Sequence, residues 1–516
     1  MSIVTVPAAA AKPAGRFGVP PWHDQHPARQ ALAAAWPADH LAHRIEAAVA
    51  ALDLAAVRAT YGGTGSAAYP PELLLRVVLF ATERGEHSPA HWYRAAQESG
   101  PCRWLLRGCV PGRSTWYSFR DRLGPLLRQL NGQVLHQAVA LERTAATRGA
   151  NDGTLIAAHA SRHRLRHAGT LAKHLAALDA QLAADAAPAD AAPADAAPAA
   201  APQPAWMARS PATRRAQRER YRRAQTRLAQ RHAQQRHQAP SKRTPAPCQV
   251  ISVTDPDAAL GLDKEDVYRP LYNVQLLDDL DSPFLLGYEV FAQASDAGLL
   301  GTMLARTQEL TGRRLDTVLA DSSYANGPDL RAAADAGVTV YAPPPAESAG
   351  GRLPKSAFTW QPAAQTYSCP QGHHLELEAT GRQPRTHSAP VQVRRYRCPP
   401  AHCTVCPLQQ ACARNPAAGR TVSRTEHEEL VVALRARLAP PAAQRLYRRR
   451  RETVELVNAD WKAHRRLRRF SGRGLARARC QVGLVVLAHN LLTLHAAPRL
   501  APAATDAAAS ACVMPA

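Results

Sequence analysis

Residues 315–342 read "LDTVLADSSYANGPDLRAAADAGVTVYA". A short apolar run from Leu315 to Ala320 breaks at Asp321 into a polar turn. A helix-forming stretch follows and stops at Gly337, and a second β-branched run begins at Val338. Apolar runs of this length bounded by turn residues predict buried strands, and a glycine just past a helical segment predicts its C-cap. Strand, helix and strand in this order define an α/β unit, in which functional residues collect at strand ends. The upstream sequence extends the pattern. "QVISVTD", "YNVQLLDD" and "FLLGYEVFAQ", from residue 249 onward, predict strands, and "DAGLLGTMLARTQELTG" predicts a helix ended by Gly312. "NDGTLIAAHAS" (151–161) predicts a further strand leading into a loop.

Helical texture flanks this unit. "PPELLLRVVLFATERG" and "STWYSFRDRLGPLLRQL", within 70–135, repeat apolar residues at helical spacing, and Ser114 suits an N-cap. Residues 426–495 return to helix. Between them, residues 185–199 repeat "DAAPA" three times, a Pro-punctuated linker composition. The segment 209–243 predicts an exposed helix or a disordered arm.

The chain holds 64 Lys and Arg against 41 Asp and Glu, a net charge of +23. Two zones carry nearly all of it: 209–243 contributes +11 and 445–479 contributes +10. Concentrated basic zones point to a polyanion, above all nucleic acid; solvated helix faces are the plainer alternative. The longest apolar run, "VGLVVLAHNLLTL" (482–494), carries His489 and Asn490 and falls short of the ~20 residues a membrane span needs, so it predicts a buried helix. "MSIVTVPAAAAKPAG" has no basic region before its apolar stretch, so no secretory signal is read. A cytoplasmic protein with reduced cysteines is the expectation, and clustered cysteines then suggest metal before disulfide.

Asp152 and Asp321 share a setting. Each follows or interrupts a short apolar strand and precedes small polar residues, "DGT" and "DSS". A carboxylate at a strand edge or end can meet a divalent cation, although a lone Asp beside a turn commonly just shapes the turn. A third acid lies in "RRRRETVELVNADWK" (448–462). Read as one helix, Leu446, Thr453, Val454, Val457 and Trp461 form the buried stripe. Arg451, Glu455 and Lys462, four and seven apart, line the stripe beside it. An acid framed by two cations could hold a metal while the cations hold phosphates; an ordinary Arg–Glu helix pair, worth only ~0.3–0.5 kcal/mol, is the alternative.

The ordered set "NDGT", "YNVQ", "LADSSY" and "RETVELVNADWK", closing with "RGLARAR" and "LAHNLL", resembles the DDE transposases of bacterial insertion sequences. Upstream, "YPPELLLRVVLFATERGEHSPAHWYRAA" and "PGRSTWYSFRDRL" are similar to their helical N-terminal domain. Many relatives carry Arg, three residues, Glu, six residues, Lys, the spacing of Arg451, Glu455 and Lys462. A Tyr commonly precedes that Arg by three, whereas Tyr447 precedes Arg451 by four.

The resemblance implies an α/β fold, with an RNase H-like mixed-sheet catalytic core, an all-α N-terminal domain and a Cys-rich insertion. It implies an N-terminal extension (1–64), a helical DNA-binding domain (65–140), a core (145–495) with inserts at 165–247 and 345–425, and a disordered tail (496–516). Asp152, Asp321 and Glu455 would hold two Mg²⁺ ions, with Mn²⁺ as a substitute. Arg451 and Lys462 would contact phosphate or orient Glu455. A metal-activated water would cut at the element's terminal inverted repeats, and the freed 3′-OH would attack target DNA. A homodimer or higher oligomer on DNA, in the cytoplasm at the nucleoid and without membrane contact, is implied as well. Two other readings share these residues: an RNase H-like nuclease that cuts without joining, and a zinc-containing DNA-binding protein without catalysis.

Five cysteines fall within 44 residues: Cys369 in "CPQGHH", then Cys398, Cys403, Cys406 and Cys412 in "YRCPPAHCTVCPLQQACAR". Four of the five suit one structural Zn²⁺, the spacing being looser than two paired knuckles; scattered reduced thiols are the alternative. Related transposases carry a similar Cys-rich segment.

Overall fold

The computed structural model describes residues 15–186, 203–236, 238, 240, 243–345, 347, 351–385 and 390–496. The repeats from residue 187 and the expected tail from 497 lie outside the described residues.

Helices come first: Pro27–Ala34 (α1), Leu41–Ala50 (α2), Ala55–Arg58 (α3), Pro71–Glu83 (α4), Pro89–Glu98 (α5), Gly100–Leu105 (α6), Arg113–Leu123 (α7) and Leu127–Ala140 (α8). α4 starts at a proline, has Glu72 in its first turn, and is buried from Leu73 through Thr82. A helix apolar on nearly every side needs partners on nearly every side. One partner is α2, whose Ala42, Ile45, Ala48 and Val49 are buried. Residues 27–58, read above as extension, thus belong to the helical layer. Glu46 of α2 ties it together, receiving Arg29 at 2.8 Å and Arg76 at 2.9 Å.

Arg148–Ala157 (β1) leaves this layer. The chain then makes an arm: Leu165–His167 (β2), Ala168–Ala184 (α9), Pro211–Gln235 (α10) and Val250–Ser252 (β3), with β2 and β3 paired at the base. Over Pro211–Gln235 the basic segment is thus a helix packed on α9. Ser210 and Thr213 form its capping box, and Arg214, Gln217, Tyr221, Ala224 and Leu228 are buried along one face. Tyr221, Ala224 and Leu228 pack on Leu171, Leu175 and Leu178 of α9. Arg231 anchors the far end to the Pro256 and Ala258 carbonyls.

The main sheet adds Ala259–Leu262 (β4), Tyr268–Asp279 (β5) and Leu285–Phe291 (β6). Leu300–Thr311 (α11) then leads to Thr317–Leu319 (β7), and Gly327–Asp335 (α12) to Thr339–Tyr341 (β8). The strand order is β4-β5-β1-β7-β8, with β6 also on β5; β1, β5 and β6 are antiparallel, while β7 and β8 run parallel to β1. β5 is buried on both faces from Pro270 onward, and the polar Asn273 and Gln275 that interrupt its apolar run are hydrogen-bonded inside. Gly312 and Gly337 end α11 and α12 with φ of +65° and +68°, the left-handed conformation a C-cap glycine supplies.

The Cys-rich segment forms its own antiparallel sheet, from Thr359–Gln361 (β9), Thr366–Ser368 (β10), His374–Gln383 (β11), Val391–Arg397 (β12) and Thr421–Thr425 (β13), with Pro400–Thr404 (α13) and Gln409–Cys412 (α14) between the last two strands. Phe358, Tyr367, Leu375, Tyr396 and Val422 are its core. Glu428–Leu438 (α15), Pro441–Glu452 (α16), Val454–Ala463 (α17) and Leu475–Ala496 (α18) follow. α18 is the predicted buried helix. It packs on α2, α4, α8 and β6, joining the helical layer to the sheet. Buried Asn490 fastens it, accepting from Leu285 N (2.9 Å) and donating to Leu285 O (2.8 Å). No helix among the described residues is long and apolar enough to cross a membrane.

Candidate active site

The β1–β7 register brings the two aspartates together. The last paired residues are Ala150 and Leu319. Asp152 and Asp321 each lie two residues further on. They stand close enough for the Asp321 charge to raise the Asp152 carboxyl pKa. β7 ends before Asp321, so the β1 edge at Asp152 is open on that side although β5 covers the other. Asp321 caps the turn that follows, accepting from Ser323 N (2.8 Å) and Ser323 Oγ (2.5 Å). It shapes the turn and faces the site at once. Burial raises the Asp152 carboxyl above its usual range; Arg450 opposes that and Asp321 adds to it.

The helix carrying Glu455 differs from the sequence reading. It breaks at Thr453, whose φ and ψ of −116° and −102° separate α16 from α17. Thr453 Oγ1 covers the exposed carbonyls of Arg449 and Arg450. One residue of register is lost at the break, so Arg450 takes the place read for Arg451. Arg450 donates from Nη2 to Asp152 Oδ1 (2.6 Å) and from Nη1 to Glu455 Oε1 (2.6 Å), while Arg451 is exposed. Tyr447 precedes Arg450 by three, the family spacing, and burial raises its hydroxyl pKa beside the same acids. Lys462 is half-buried near Asp152; burial, then Lys264 and Arg468, lower its pKa.

Three contributors were not read from the sequence. Asn458 of α17 donates to Asp152 Oδ2 at 2.9 Å. Its spacing of three from Glu455 was the available signal. Asp296, in the loop after β6, accepts from Asn273 and Gln275 of β5, both at 2.7 Å, and lies near Asp152 and Asp321. No periodic pattern marks it. Asp278 of β5, level with Ala150, is fully buried and neither carboxylate oxygen has a hydrogen-bond partner. Burial, with Asp152 next, holds its pKa well above the usual range.

Gly153 makes the Asp296 contact possible. A Cβ there would collide with the Asp296 carboxylate and the Gln275 amide. Gly153→Ala should therefore cost about 1–3 kcal/mol, the scale of overpacking, read as a lowered denaturant midpoint at unchanged slope. An unchanged midpoint would remove this account of the glycine.

The acids suit a hard divalent cation chemically, and two observations support the fit: a guanidinium stands as a cation between Asp152 and Glu455, and the Asp278 oxygens beneath are unsatisfied. As the side chains stand, no group of three or more His, Cys, Asp and Glu among the described residues is drawn up to hold a metal. Between Asp152 and Glu455 stands the Arg450 guanidinium.

In the second sheet, Cys369, Cys398, Cys403, Cys406 and Cys412 line one cavity of about 20 Å³ together with His373 and His402. Burial, then the neighbouring Cys403, Cys369 and Cys412, push the Cys398 thiol up to about 12.

Two transposase families match this chain. Residues 30–122 match the transposase domain (DUF772), and residues 368–495 match the transposase DDE domain. The second match includes Arg450, Glu455, the cysteines and α15–α18. Asp152 and Asp321 lie between the two matches. Together they support a DDE-type transposase of insertion sequences. No curated protein and no solved structure matches the chain.

Proposed function

We propose that this transposase binds the terminal inverted repeats of its element, cuts there with divalent metal, and joins the freed ends to target DNA. The observation that carries the reading is Arg450, which bridges Asp152 to Glu455 close to Asp321. The β1–β7 register sets Asp152 beside Asp321, and Arg450 links Asp152 to Glu455. A strand order with three antiparallel strands followed by two parallel ones supports an RNase H-like core. Asp152, Asp321 and Glu455 would hold two Mg²⁺ ions, which supply Lewis acidity at the phosphodiester when bound. Asn458 fixes the Asp152 rotamer. Lys462 and the exposed Arg451 would meet phosphate. The protein would act in the cytoplasm, at the nucleoid, as an oligomer that pairs two ends.

The test uses duplex DNA spanning the inverted repeats that flank the gene, with and without Mg²⁺. Cleavage that leaves a 3′-OH and then joins to a second duplex is expected. Cleavage without joining would leave a nuclease; binding without cleavage would leave a DNA-binding protein.

Four of Cys369, Cys398, Cys403, Cys406 and Cys412 would hold a structural zinc. Freshly purified, reduced protein should then carry about one zinc per chain. Chelation should expose residues 351–425 to protease, because the binding energy of such a site is folding energy. Metal-free protein of unchanged protease resistance would contradict it.

A further inference from the structure

Arg450 is the only buried residue of α16, and it is a charged one. Its side chain is 9% exposed, and both of its ion-pair partners are acids assigned above to metal. Its Nε has no hydrogen-bond partner, so burial of this charge rests on Asp152 and Glu455. Beyond Arg450, α16 packs on its neighbours α15 and α17, Leu446 rests against the main core, and Arg449 ties one edge to Asp281 and the Leu280 carbonyl. The helix break at Thr453 separates α16 from the Glu455 helix, so one can shift without carrying the other.

We propose that Arg450 is a built-in counter-ion that closes the carboxylate site to divalent cations, and that cation binding expels it and frees α16. This rests on the reading of Asp152, Asp321 and Glu455 as the cation site. A divalent ion and a guanidinium cannot share the same two carboxylate oxygens, because like charges at that distance repel strongly in a poorly solvated site. Whichever cation sits there excludes the other, and the coupling is reciprocal. Once expelled, Arg450 needs a new anion, and a DNA phosphate at the mouth of the site supplies one. Metal and DNA should therefore each favour binding of the other. An idle protein would hold its acids neutralised without metal.

The test is Mn²⁺ titration of the full-length protein without DNA, followed by electron paramagnetic resonance of free Mn²⁺. Asp152→Asn, which lacks a ligand, reports any binding elsewhere on the chain. Arg450→Gln should bind Mn²⁺ at least about ten-fold more tightly than wild type. Trypsin should cut the α16 arginines faster in wild type when Mn²⁺ is present, and equally fast with or without it in Arg450→Gln. Equal or weaker Mn²⁺ binding by a folded Arg450→Gln protein would overturn the gate while leaving the acids as the metal site. Loss of the Asp152-dependent binding from wild type and Arg450→Gln alike would overturn the metal-site reading and the gate with it. Should Arg450→Gln not fold, Arg450→Lys serves, since an ammonium cannot bridge two carboxylates as a planar guanidinium does. It should give a smaller rise in affinity, and no rise would overturn the gate.

Discussion

Glu455→Gln is expected to abolish DNA cleavage, by on the order of 10³-fold or more, the scale for losing an electrostatic group aimed at the reacting centre. Glu452→Gln and Asp460→Asn, three residues before and five after, are expected to cleave nearly as wild type. Glu452 is exposed at the end of α16, on the other side of the Thr453 break. Asp460 turns away to His464 (2.9 Å) and Arg465 (3.4 Å). Arg465 keeps Glu83 at 3.0 Å when Asp460 is neutralised, so the fold should tolerate that change. Glu455 alone of the three reaches Arg450 and, through it, Asp152. Gln keeps shape and helix propensity, so circular dichroism and DNA binding should survive. The three variants are assayed side by side on end-repeat DNA with Mg²⁺. Near-normal cleavage by Glu455→Gln, or loss confined to Glu452→Gln, would mean the third acid is misplaced.

DNA affinity is expected to fall about 10³–10⁵-fold between roughly 50 and 200 mM salt, as for a protein that neutralises ~6–10 phosphates. α10 supplies part of this charge in a fixed array. Arg215, Arg220, Arg222, Arg223 and Arg227 are exposed around its free sides. Arg222 meets Asp179 at 3.4 Å in an exposed pair weak enough to exchange for phosphate, while Arg227 and Arg223 share the half-buried Asp257 at 3.3 Å and 3.8 Å. Arg215, Arg220 and Arg223 lie away from the buried stripe, so their joint replacement by Gln spares the packing on α9. It should make the slope of log affinity against log salt shallower by up to about 3, equally for all sequences, since phosphate contacts position but do not read bases. An unchanged slope would remove α10 from the DNA surface.

The two aspartates were legible because each is written beside an apolar strand and before small polar residues, in "LADSSY" and "NDGT", although only Asp321 follows a strand end and Asp152 lies within β1. Their adjacency depends on a β1–β7 register between residues more than a hundred positions apart, which no local pattern carries. Glu455 was legible from its spacing to basic residues, but Arg450 was not. Four successive arginines offer any register, and only the break at Thr453 selects one. In "RRRRETVEL" only the β-branched pair Thr453–Val454 weakens the helical propensity, too slight a sign to place a break. The helix α10 was ambiguous for a related reason. Its buried face uses Arg214 and Gln217 where an apolar residue would have advertised packing; Arg214 is held there by Asp185 at 2.6 Å. Asp296 comes from a loop and reaches the site only because Gly153 leaves room.

α18 sets a schedule for synthesis. α2, α4 and α8 end 425, 392 and 335 residues ahead of its start, a delay of roughly 17–85 s at ~5–20 residues per second. Through that interval the surfaces that α18 will cover face water or a chaperone. The Leu285 backbone, too, waits for its Asn490 partner. The nascent helical layer thus gains its last wall only when translation has passed Leu475. A message cut short of that codon yields a chain with a split core, suited to proteolysis rather than to holding DNA.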